Sequence, residues 1–286
     1  MFSEIAVFGL GLLGGSICRG LRRIPHNGRI TAFARDPRRL APALDDGTID
    51  SAERIDGAVI RDADLVILCT PVFNSIELLE RLLDDADLGP RSLVIDVGSV
   101  KGPIVRAALR HSRADRFVGC HPMAGSEKTG YDASRADLYD GASVIVTPHE
   151  KNGSADLQRI ARFWESLGAR VTEADANLHD SIVAHTSHLP HLLACSAAHA
   201  VRGYSGSMGP EIRHFIGNGF LDVTRIAAGS PEMWTDIFMA NRESLARAAR
   251  ETISTMERVL GELESGEGTA RLMEFFTAAR DLRKGM

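Results

Sequence analysis

The sequence has few of the features that mark a protein for nucleic acid, a membrane or an oxidising compartment. Lys and Arg number 33 against 38 Asp and Glu, so it lacks the basic excess of nucleic-acid-binding and membrane-surface proteins. No apolar run approaches the roughly 18 residues that span a bilayer, and the first residues lack the basic region and cleavage site of a signal peptide. The cysteines form no CxxC pair, which favours reduced thiols in the cytoplasm over disulfides or zinc; they are Cys18, Cys69, Cys120 and Cys195.

Strand-like and helix-like patterns alternate over residues 1–173. Short apolar runs, several of them β-branched throughout, occur at 5–9, 29–34, 63–69, 92–97, 116–120, 142–148 and 169–174. Amphipathic stretches lie between some of them, at 14–23, 75–88, 103–111 and 154–167. Apolar strands of this kind are typical of sheets covered on both faces. The alternation predicts an α/β domain over residues 1–173, with a Rossmann-type, doubly wound and mainly parallel sheet.

The pattern becomes helical after Ala174, which predicts an all-helical second domain over residues 174–286. The stretch 232–263 has the apolar stripe of an amphipathic helix of about 30 residues, which would be roughly 45 Å long. Such a helix exceeds the width of a small domain, so we expect it to pack partly on a second copy in a homodimer. The alternative is two shorter helices with a bend near Ser244.

A glycine-rich turn follows the first predicted strand. Gly9, Gly11 and Gly14 form G-x-G-x-x-G between that strand and the first predicted helix. The three glycines permit a tight turn, close approach of a pyrophosphate, and close helix–sheet packing. The motif alone is weak, but in this position it predicts a dinucleotide-binding turn.

The end of the second predicted strand indicates which dinucleotide binds. The acidic residue that holds the ribose of NAD is expected about 20 residues past the glycine motif, where this chain has Ala34 followed by Arg35. Arg38 and Arg39 come next, and a guanidinium suits a 2′-phosphate. This pattern favours NADP. The alternative is NAD, with Asp36 in the acidic role and the arginines on a solvated face.

Two further predicted strands end in polar residues at the edge of the sheet where ligands bind in such folds. Ser99 and Lys101 follow one of them, although Ser99 alone is better explained as a helix N-cap. His121 ends the next strand, and Pro122 restricts it to extended geometry. A histidine fixed at this edge is a candidate acid–base group, because its pKa lies near the working pH.

Three histidines, His185, His188 and His191, recur three residues apart in the first helical stretch. A metal site would need convergent ligands, but no carboxylate or cysteine accompanies them in the pattern, and Pro190 disturbs the helix. We therefore predict hydrogen bonds to a polar substrate and no metal.

One arginine stands among apolar residues. Arg225 precedes a glycine-bearing turn in FLDVTRIAAGSPEMW. A buried guanidinium needs an anion, which would come either from a ligand or from Asp222.

Taken together, these segments resemble the prephenate/arogenate dehydrogenase (TyrA) family of tyrosine biosynthesis. The resemblance rests on GLGLLGGS, the dipeptide Thr70–Pro71, DVGSVK, GCHPMAGSEKTG, HDSIVAHTSHLPH and FLDVTRIAAGSPEMW, which cover nearly the whole chain in order. It implies oxidative decarboxylation of a cyclohexadienol, prephenate or arogenate, by a Rossmann domain joined to a helical domain that binds substrate and dimerises. The departure from the acidic residue of NAD-using members, at Ala34–Asp36, supports NADP.

The resemblance also implies roles for particular residues. His121 accepts the hydrogen bond of the substrate ring hydroxyl, with Ser99 orienting the same region. Arg225 binds a substrate carboxylate, and His191 contacts the substrate. From their own positions, Lys101 at the ligand edge and His188 in the histidine pattern are further candidates for substrate contacts. Contacts with the cofactor are expected from Gly9, Gly11, Leu12, Leu13, Gly14, Arg35, Thr70 and Pro71.

Two other functional classes remain open at this point. One is an NADP-dependent hydroxy-acid or imine dehydrogenase, which also joins a Rossmann domain to a helical dimer domain but usually relies on a Lys or Asp of the helical part. The other is a dinucleotide sensor without enzymatic activity. The presence of both His121 and Arg225 argues against these alternatives.

Overall fold

The computed structural model describes residues 2–25, 28–56, 60–84, 88–126 and 128–286, apart from the side chains of residues 204–208 and 210. The chain forms two compact units, Met1–Asn241 and Arg242–Met286. The predicted boundary after residue 173 stays a prediction, because the strands end at Glu173 while helices up to Ala240 belong to the first unit.

The first unit is built on one sheet, whose eight described strands occur in the order β3-β2-β1-β4-β5-β6-β7-β8. Every neighbouring pair is parallel except β6 and β7. The strands are β1 Glu4–Phe8, β2 Arg29–Ala34, β3 Ser51–Arg54, β4 Leu65–Leu68, β5 Leu93–Asp96, β6 Phe117–Pro122, β7 Ser143–Thr147 and β8 Arg170–Glu173. The predicted fold class, a doubly wound and mainly parallel sheet, is therefore confirmed.

Helices cover the sheet and then continue beyond it. The sheet helices are α1 Leu12–Arg23, α2 Ala41–Asp45, α3 Val72–Asp84, α4 Gly102–Leu109 and α5 Ser154–Ser166. The later helices of the first unit are α6 Ala176–Val183, α7 Leu189–Met208, α8 Asn218–Thr224 and α9 Pro231–Ala240. The second unit consists of α10 Arg242–Ser265 and α11 Thr269–Lys284. Residues 85–87 of the predicted stretch 75–88 lie outside the described residues.

Two apolar cores lie on opposite faces of the sheet, because side chains alternate along each strand. Ile5 and Val7 of β1 belong to one core, and Ala6 and Phe8 belong to the other. Nearly every residue of the central strands is buried, as the apolar runs predicted.

Two elements differ from the sequence-based predictions. Strand β3 was not predicted, because its sequence SAER is polar and two of its four residues are exposed at the edge of the sheet.

The prediction of a single helix over 232–263 is wrong, since α9 ends before Asn241 and α10 begins after it. The side chain of Asn241 is buried and donates from Nδ2 to the carbonyl oxygen of Asp180 at 2.8 Å, which holds the chain at this break. The alternative of two helices is confirmed, with the break at Asn241 and not near Ser244.

A wide helical turn separates α6 from α7. Residues Ala184–His188 are π-helical, and Pro190 follows in the first turn of α7. Proline cannot donate a backbone hydrogen bond, so a local change of helical geometry before it is expected.

None of the helices in the described part of the chain combines the length and apolar character that spanning a bilayer requires.

Candidate active site

The carboxyl ends of four parallel strands meet at one edge of the sheet. Gly9 follows β1, Thr70 follows β4 by two residues, and Ser99 follows β5 by three. His121 lies near the end of β6, past Val118, the last residue of β6 that pairs with β5. This edge is where doubly wound sheets bind their ligands.

The glycine turn has the shape that a dinucleotide requires. Gly9 has φ +91°, and a Cβ there would lie 2.7 Å from the carbonyl oxygen of Cys69. A Cβ at Gly14 would lie 2.4 Å from the carbonyl oxygen of Gly9, so this position permits close packing of α1 on the sheet. A Cβ at Gly11 would meet no atom within 4 Å, which leaves open space beside the backbone where Leu12 and Leu13 begin α1. The turn therefore fits a pyrophosphate.

A cavity of about 500 Å³ extends from this turn to the end of β2. Ala34, Arg35, Asp36 and Arg39 are among the residues that line it. The Asp36 carboxylate accepts hydrogen bonds from Nε and Nη2 of Arg38, both at 2.9 Å, and Arg38 holds the pKa of Asp36 below its usual value. Asp36 is thus already engaged within the protein.

The helix after β4 is capped from a distant part of the chain. Asp236 of α9 accepts the backbone N–H of Val72 at 2.5 Å, at the first residue of α3. Beside it, the hydroxyls of Thr70 and Ser75 are hydrogen-bonded at 2.8 Å. This cap fixes the segment Thr70–Pro71 against the helical part of the unit.

His121 is 8% exposed, and its Nδ1 lies 2.8 Å from Nε2 of His179 in α6. His179 is buried as well, and its Nδ1 lies 2.9 Å from Oδ1 of Asp180. Burial, followed by the nearby His179, Lys101 and His188, lowers the pKa of His121 well below 6.5. His121 is therefore neutral at pH 7 and able to accept a proton.

The predicted contact of Lys101 with the substrate has to be corrected. In the structure the lysine side chain is bonded to other residues of the protein. Its side chain is fully buried, and Nζ forms an ion pair with Asp96 and donates to the carbonyl oxygen of Cys120 at 2.8 Å. The lysine stem reaches this position beside Gly119, where a Cβ would lie 3.5 Å from Cδ of Lys101. The charge of Lys101 is therefore neutralised inside the fold.

Ser99 is half-buried at the predicted edge, but it does not cap the next helix. Helix α4 begins at Gly102, and the backbone N–H groups of Lys101 and Gly102 both donate to the Asp180 carboxylate at 2.7 Å. The explanation of Ser99 as an N-cap is therefore wrong, because the carboxylate of Asp180, 78 residues beyond Gly102, takes that position.

The three histidines of the first helical stretch do not point to one common site. His185 is exposed and its Nδ1 lies 2.9 Å from the carbonyl oxygen of Ser181, whereas His188 and His191 are buried. His191 stacks on Trp234 with ring centres 3.6 Å apart. Among the described residues, no group of three or more His, Cys, Asp or Glu is arranged to hold a metal ion.

His188 presents a donor with no partner among the described residues. Nδ2 of Asn241 lies 2.8 Å from the Asp180 carbonyl oxygen, which can only accept, and 3.2 Å from Nδ1 of His188. Nδ1 of His188 is thus an acceptor, and its proton is on Nε2. That Nε2 is buried and unbonded in the described part of the chain. Burial lowers the pKa of His188 to about 4, so the group is a neutral donor.

Arg225 begins a short 3-10 turn, Arg225–Ala228, that contacts α7. Its side chain is exposed in the single chain, so the premise of a buried guanidinium is wrong for the isolated protomer. Its proposed role with a substrate carboxylate is not tested by this geometry.

Sequence reasoning did not assign roles to His179, Asp180, Asp236 or Asn241. His179, Asp180 and Asp236 connect helices that follow the sheet to residues at its ligand edge, and Asn241 connects the end of α9 to α6. The adjacent His179 and Asp180 open the motif HDSIVAHTSHLPH, and that pairing of an imidazole with a carboxylate was the available signal. The contacts themselves span 58 to 164 residues and have no counterpart in local spacing.

Comparison with known proteins decides the family. The family described as prephenate dehydrogenase, nucleotide-binding domain matches residues 17–173, and the prephenate dehydrogenase dimerization domain matches residues 175–278. The chain belongs to the prephenate dehydrogenase family. It is therefore an oxidoreductase with a nucleotide-binding domain that takes a nicotinamide dinucleotide.

Members of the prephenate dehydrogenase family resemble the chain over almost its full length. A prephenate dehydrogenase of Bacillus subtilis is 32% identical over 290 residues, which cover 100% of this chain and 76% of the relative. A cyclohexadienyl dehydrogenase of Zymomonas mobilis is 31% identical, with 99% and 96% covered. The crystal structure of prephenate dehydrogenase from A. aeolicus, in complex with hydroxyphenyl propionate and NAD⁺, is 33% identical with a TM-score of 0.88, covering 100% of this chain and 98% of that one.

Proposed function

We propose that this chain catalyses the oxidative decarboxylation of prephenate to 4-hydroxyphenylpyruvate. The observation that supports this most is His121, a buried and neutral imidazole at the ligand edge of a dinucleotide-binding sheet. Membership of the prephenate dehydrogenase family supports the same reaction. The relatives from B. subtilis and A. aeolicus are both described as prephenate dehydrogenases.

In this proposal each residue acts on a defined part of the substrate. When bound, the nicotinamide dinucleotide accepts a hydride. His121 accepts the proton of the ring hydroxyl as that carbon is oxidised, Ser99 orients the same region, and the new carbonyl promotes loss of carbon dioxide with aromatisation of the ring. His188 donates from Nε2 to a substrate oxygen, which would satisfy a buried donor that otherwise costs free energy.

Two side chains of the helical part complete the proposed substrate site. His191 is held by stacking on Trp234, and its buried Nδ1 is unbonded among the described residues. Arg225 supplies the charge for a carboxylate of the dianionic substrate, since a guanidinium binds carboxylates in a fixed geometry.

We further propose that NADP is the preferred cofactor. Ala34 offers no acceptor for the ribose hydroxyls, and Asp36 is engaged by Arg38. Arg35 and Arg39 line the same cavity and suit a 2′-phosphate. The remaining contacts proposed for the cofactor come from the glycine turn with Leu12 and Leu13, and from Thr70 and Pro71.

The proposed assembly is a homodimer. Exposed large apolar side chains occur on α8 and on both helices of the second unit, among them Leu221, Ile253, Met256 and Phe276. Exposed large apolar side chains on helices are a feature of interaction surfaces. The match of residues 175–278 to a dimerization domain supports a second copy as the partner.

We also propose a cytoplasmic location, which the four free thiols support.

The experiment that tests the function is a steady-state assay that pairs prephenate or arogenate with NAD⁺ or NADP⁺. We expect the highest kcat/KM with prephenate and NADP⁺. A higher value with arogenate would replace the substrate but keep the reaction. No reduced cofactor with either compound, in protein that is folded by circular dichroism, would contradict the proposed function.

A further inference from the structure

Three buried side chains form a hydrogen-bonded chain that leads away from the candidate base. Nδ1 of His121 lies 2.8 Å from Nε2 of His179, and Nδ1 of His179 lies 2.9 Å from Oδ1 of Asp180. The two imidazoles meet edge to face, with ring centres 5.0 Å apart. All three residues are less than 10% exposed, so water does not compete freely for these bonds.

The direction of these bonds follows from the Asp180 end. Oδ1 of Asp180 accepts the backbone N–H of Lys101, and Oδ2 accepts that of Gly102, both at 2.7 Å. A carboxylate that caps a helix in this way is an acceptor, so Nδ1 of His179 is the donor to it. A neutral His179 then has its lone pair on Nε2, the atom that faces His121.

The proton position of His121 follows from that of His179. Because Nε2 of His179 accepts, Nδ1 of His121 carries the proton and donates. A neutral imidazole has one proton, so the lone pair of His121 is on Nε2. No described residue is hydrogen-bonded to that Nε2.

We propose that His179, held by Asp180, fixes the neutral His121 imidazole as the Nδ1–H tautomer and thereby makes Nε2 the atom that accepts the proton of the substrate hydroxyl. The inference rests on the proposed function in that it takes His121 as the base. His179 and Asp180 are positioning residues, since they act on the substrate through His121. No proton passes beyond His121 in this arrangement.

The tautomer matters because a base with its proton on the wrong nitrogen cannot act. In the Ser-His-Asp triad, loss of the group that sets the tautomer lowers kcat by about 10⁴. The proton position of any histidine is set by the bond that its other nitrogen makes. Here that bond comes from α6, which connects the helical part of the unit to the reacting centre.

The other charged and titratable groups near His121 do not provide an alternative acceptor. The ammonium of Lys101 is paired with Asp96, and His188 uses its Nδ1 to accept from Asn241. The opposite arrangement would need a cationic His179 donating to His121. It would leave the proton of His121 on Nε2, where no described residue accepts a hydrogen bond from it.

The tautomer can be measured without any activity. The full-length protein is labelled with ¹⁵N-histidine, and long-range ¹H–¹⁵N correlation spectra are recorded at pH 7.5 without ligands. His121→Asn identifies the signals of His121. We expect Nδ1 protonated and Nε2 unprotonated, and an Nε2–H tautomer would overturn the proposal.

Two substitutions at His179 distinguish its role as a hydrogen-bond acceptor for His121 from the volume that its ring occupies. His179→Gln keeps an acceptor oxygen, whereas His179→Phe keeps the ring volume and removes the acceptor. We expect the Gln variant to retain the Nδ1–H tautomer of His121 and the Phe variant to lose it. Asp180 is not substituted, because it also caps α4. His111→Asn, at a half-buried histidine paired with Asp84 and without a hydrogen bond to His121 or His179, is the matched control and should leave the His121 signals unchanged.

Kinetics with prephenate give the second measurement. His179→Phe should lower kcat by roughly 10²-fold or more, the range for a lost acid–base function, with KM values for substrate and cofactor nearly unchanged. His179→Gln should recover most of that loss. Equal losses in both variants, with the His121 tautomer unchanged, would overturn the proposal. If the native protein shows no activity but the spectra show the Nδ1–H tautomer, the proposed function fails and the tautomer assignment stands.

Discussion

Lys101 and Asp96 form an ion pair in which the two side chains are 0% and 1% exposed. Asp96 also accepts the backbone N–H groups of Gly98 and Cys120, at 2.9 and 3.1 Å. The pair therefore connects β5 and the start of α4 to β6 at Cys120, the residue before His121.

Removing one partner should destabilise the protein strongly. Lys101→Met leaves the Asp96 charge buried and unpaired, which costs about 3–5 kcal/mol of unfolding free energy. The double variant Lys101→Met with Asp96→Asn should lose less than the single one. Arg54→Met is the control, because its pair with Asp56 is mostly exposed and contributes at most about 1 kcal/mol. Urea denaturation measures all three; an unchanged midpoint for Lys101→Met, with a raised KM for prephenate, would restore the substrate role.

Cofactor preference should depend on the arginines at the end of β2. Arg35→Ala or Arg39→Ala should raise the KM for NADP⁺ by about tenfold or more and leave the KM for NAD⁺ nearly unchanged, since a charge-assisted bond contributes about 1.5–3 kcal/mol. Arg29→Ala, at the opposite end of β2, is the matched control. Ala34→Asp combined with Arg35→Ala should shift the preference toward NAD⁺. A native enzyme with a higher kcat/KM for NAD⁺ would refute the proposed preference.

Assembly can be measured directly by light scattering. We expect a mass of twice 30.9 kDa at micromolar concentration. Leu260→Glu, on the exposed apolar face of α10, should shift the mass toward the monomer, whereas Glu257→Gln should not. A native mass of 30.9 kDa would contradict the dimer.

Arg225 should affect substrate and not cofactor. Arg225→Ala or Arg225→Lys should raise the KM for prephenate by tenfold or more, because a bond to a charged group contributes about 1.5–3 kcal/mol. Arg213→Ala, an exposed arginine elsewhere in the helical part, is the control. Equal losses for substrate and cofactor would instead indicate a structural arginine.

Much of the sheet was predictable, because its central strands are apolar on both faces. Each of these strands therefore corresponds to a short run of apolar residues in the sequence. Polar strand β3 lies at the sheet edge, where burial does not select its side chains, so it gave no such signal. The glycine turn was predictable for a similar reason, since a positive φ at Gly9 and close packing at Gly14 restrict those positions to one residue type.

Local sequence signals located His121 at the candidate site, but the network of residues around it was not predictable. His121 is located by its strand and by Pro122, both of which are local signals. Its partner His179, the cap from Asp180 and the break at Asn241 depend on contacts between distant segments. Lys101 was mispredicted for the same reason. Its position in the sequence placed it at the ligand edge, but its side chain is buried and paired with Asp96.

The most direct test of the account is kcat/KM for prephenate against pH, for the native enzyme and for His121→Asn. Only neutral His121 accepts the hydroxyl proton, so activity falls as pH decreases through its pKa. Burial, followed by the nearby His179, Lys101 and His188, holds that pKa well below 6.5, so we predict a native profile that is flat through neutral pH, with an acid limb below 6.5. His121→Asn should fold normally, lose roughly 10²–10⁴ of kcat, and show no acid limb. A folded His121→Asn enzyme with near-native kcat and the same acid limb would contradict the assignment of His121 as the base.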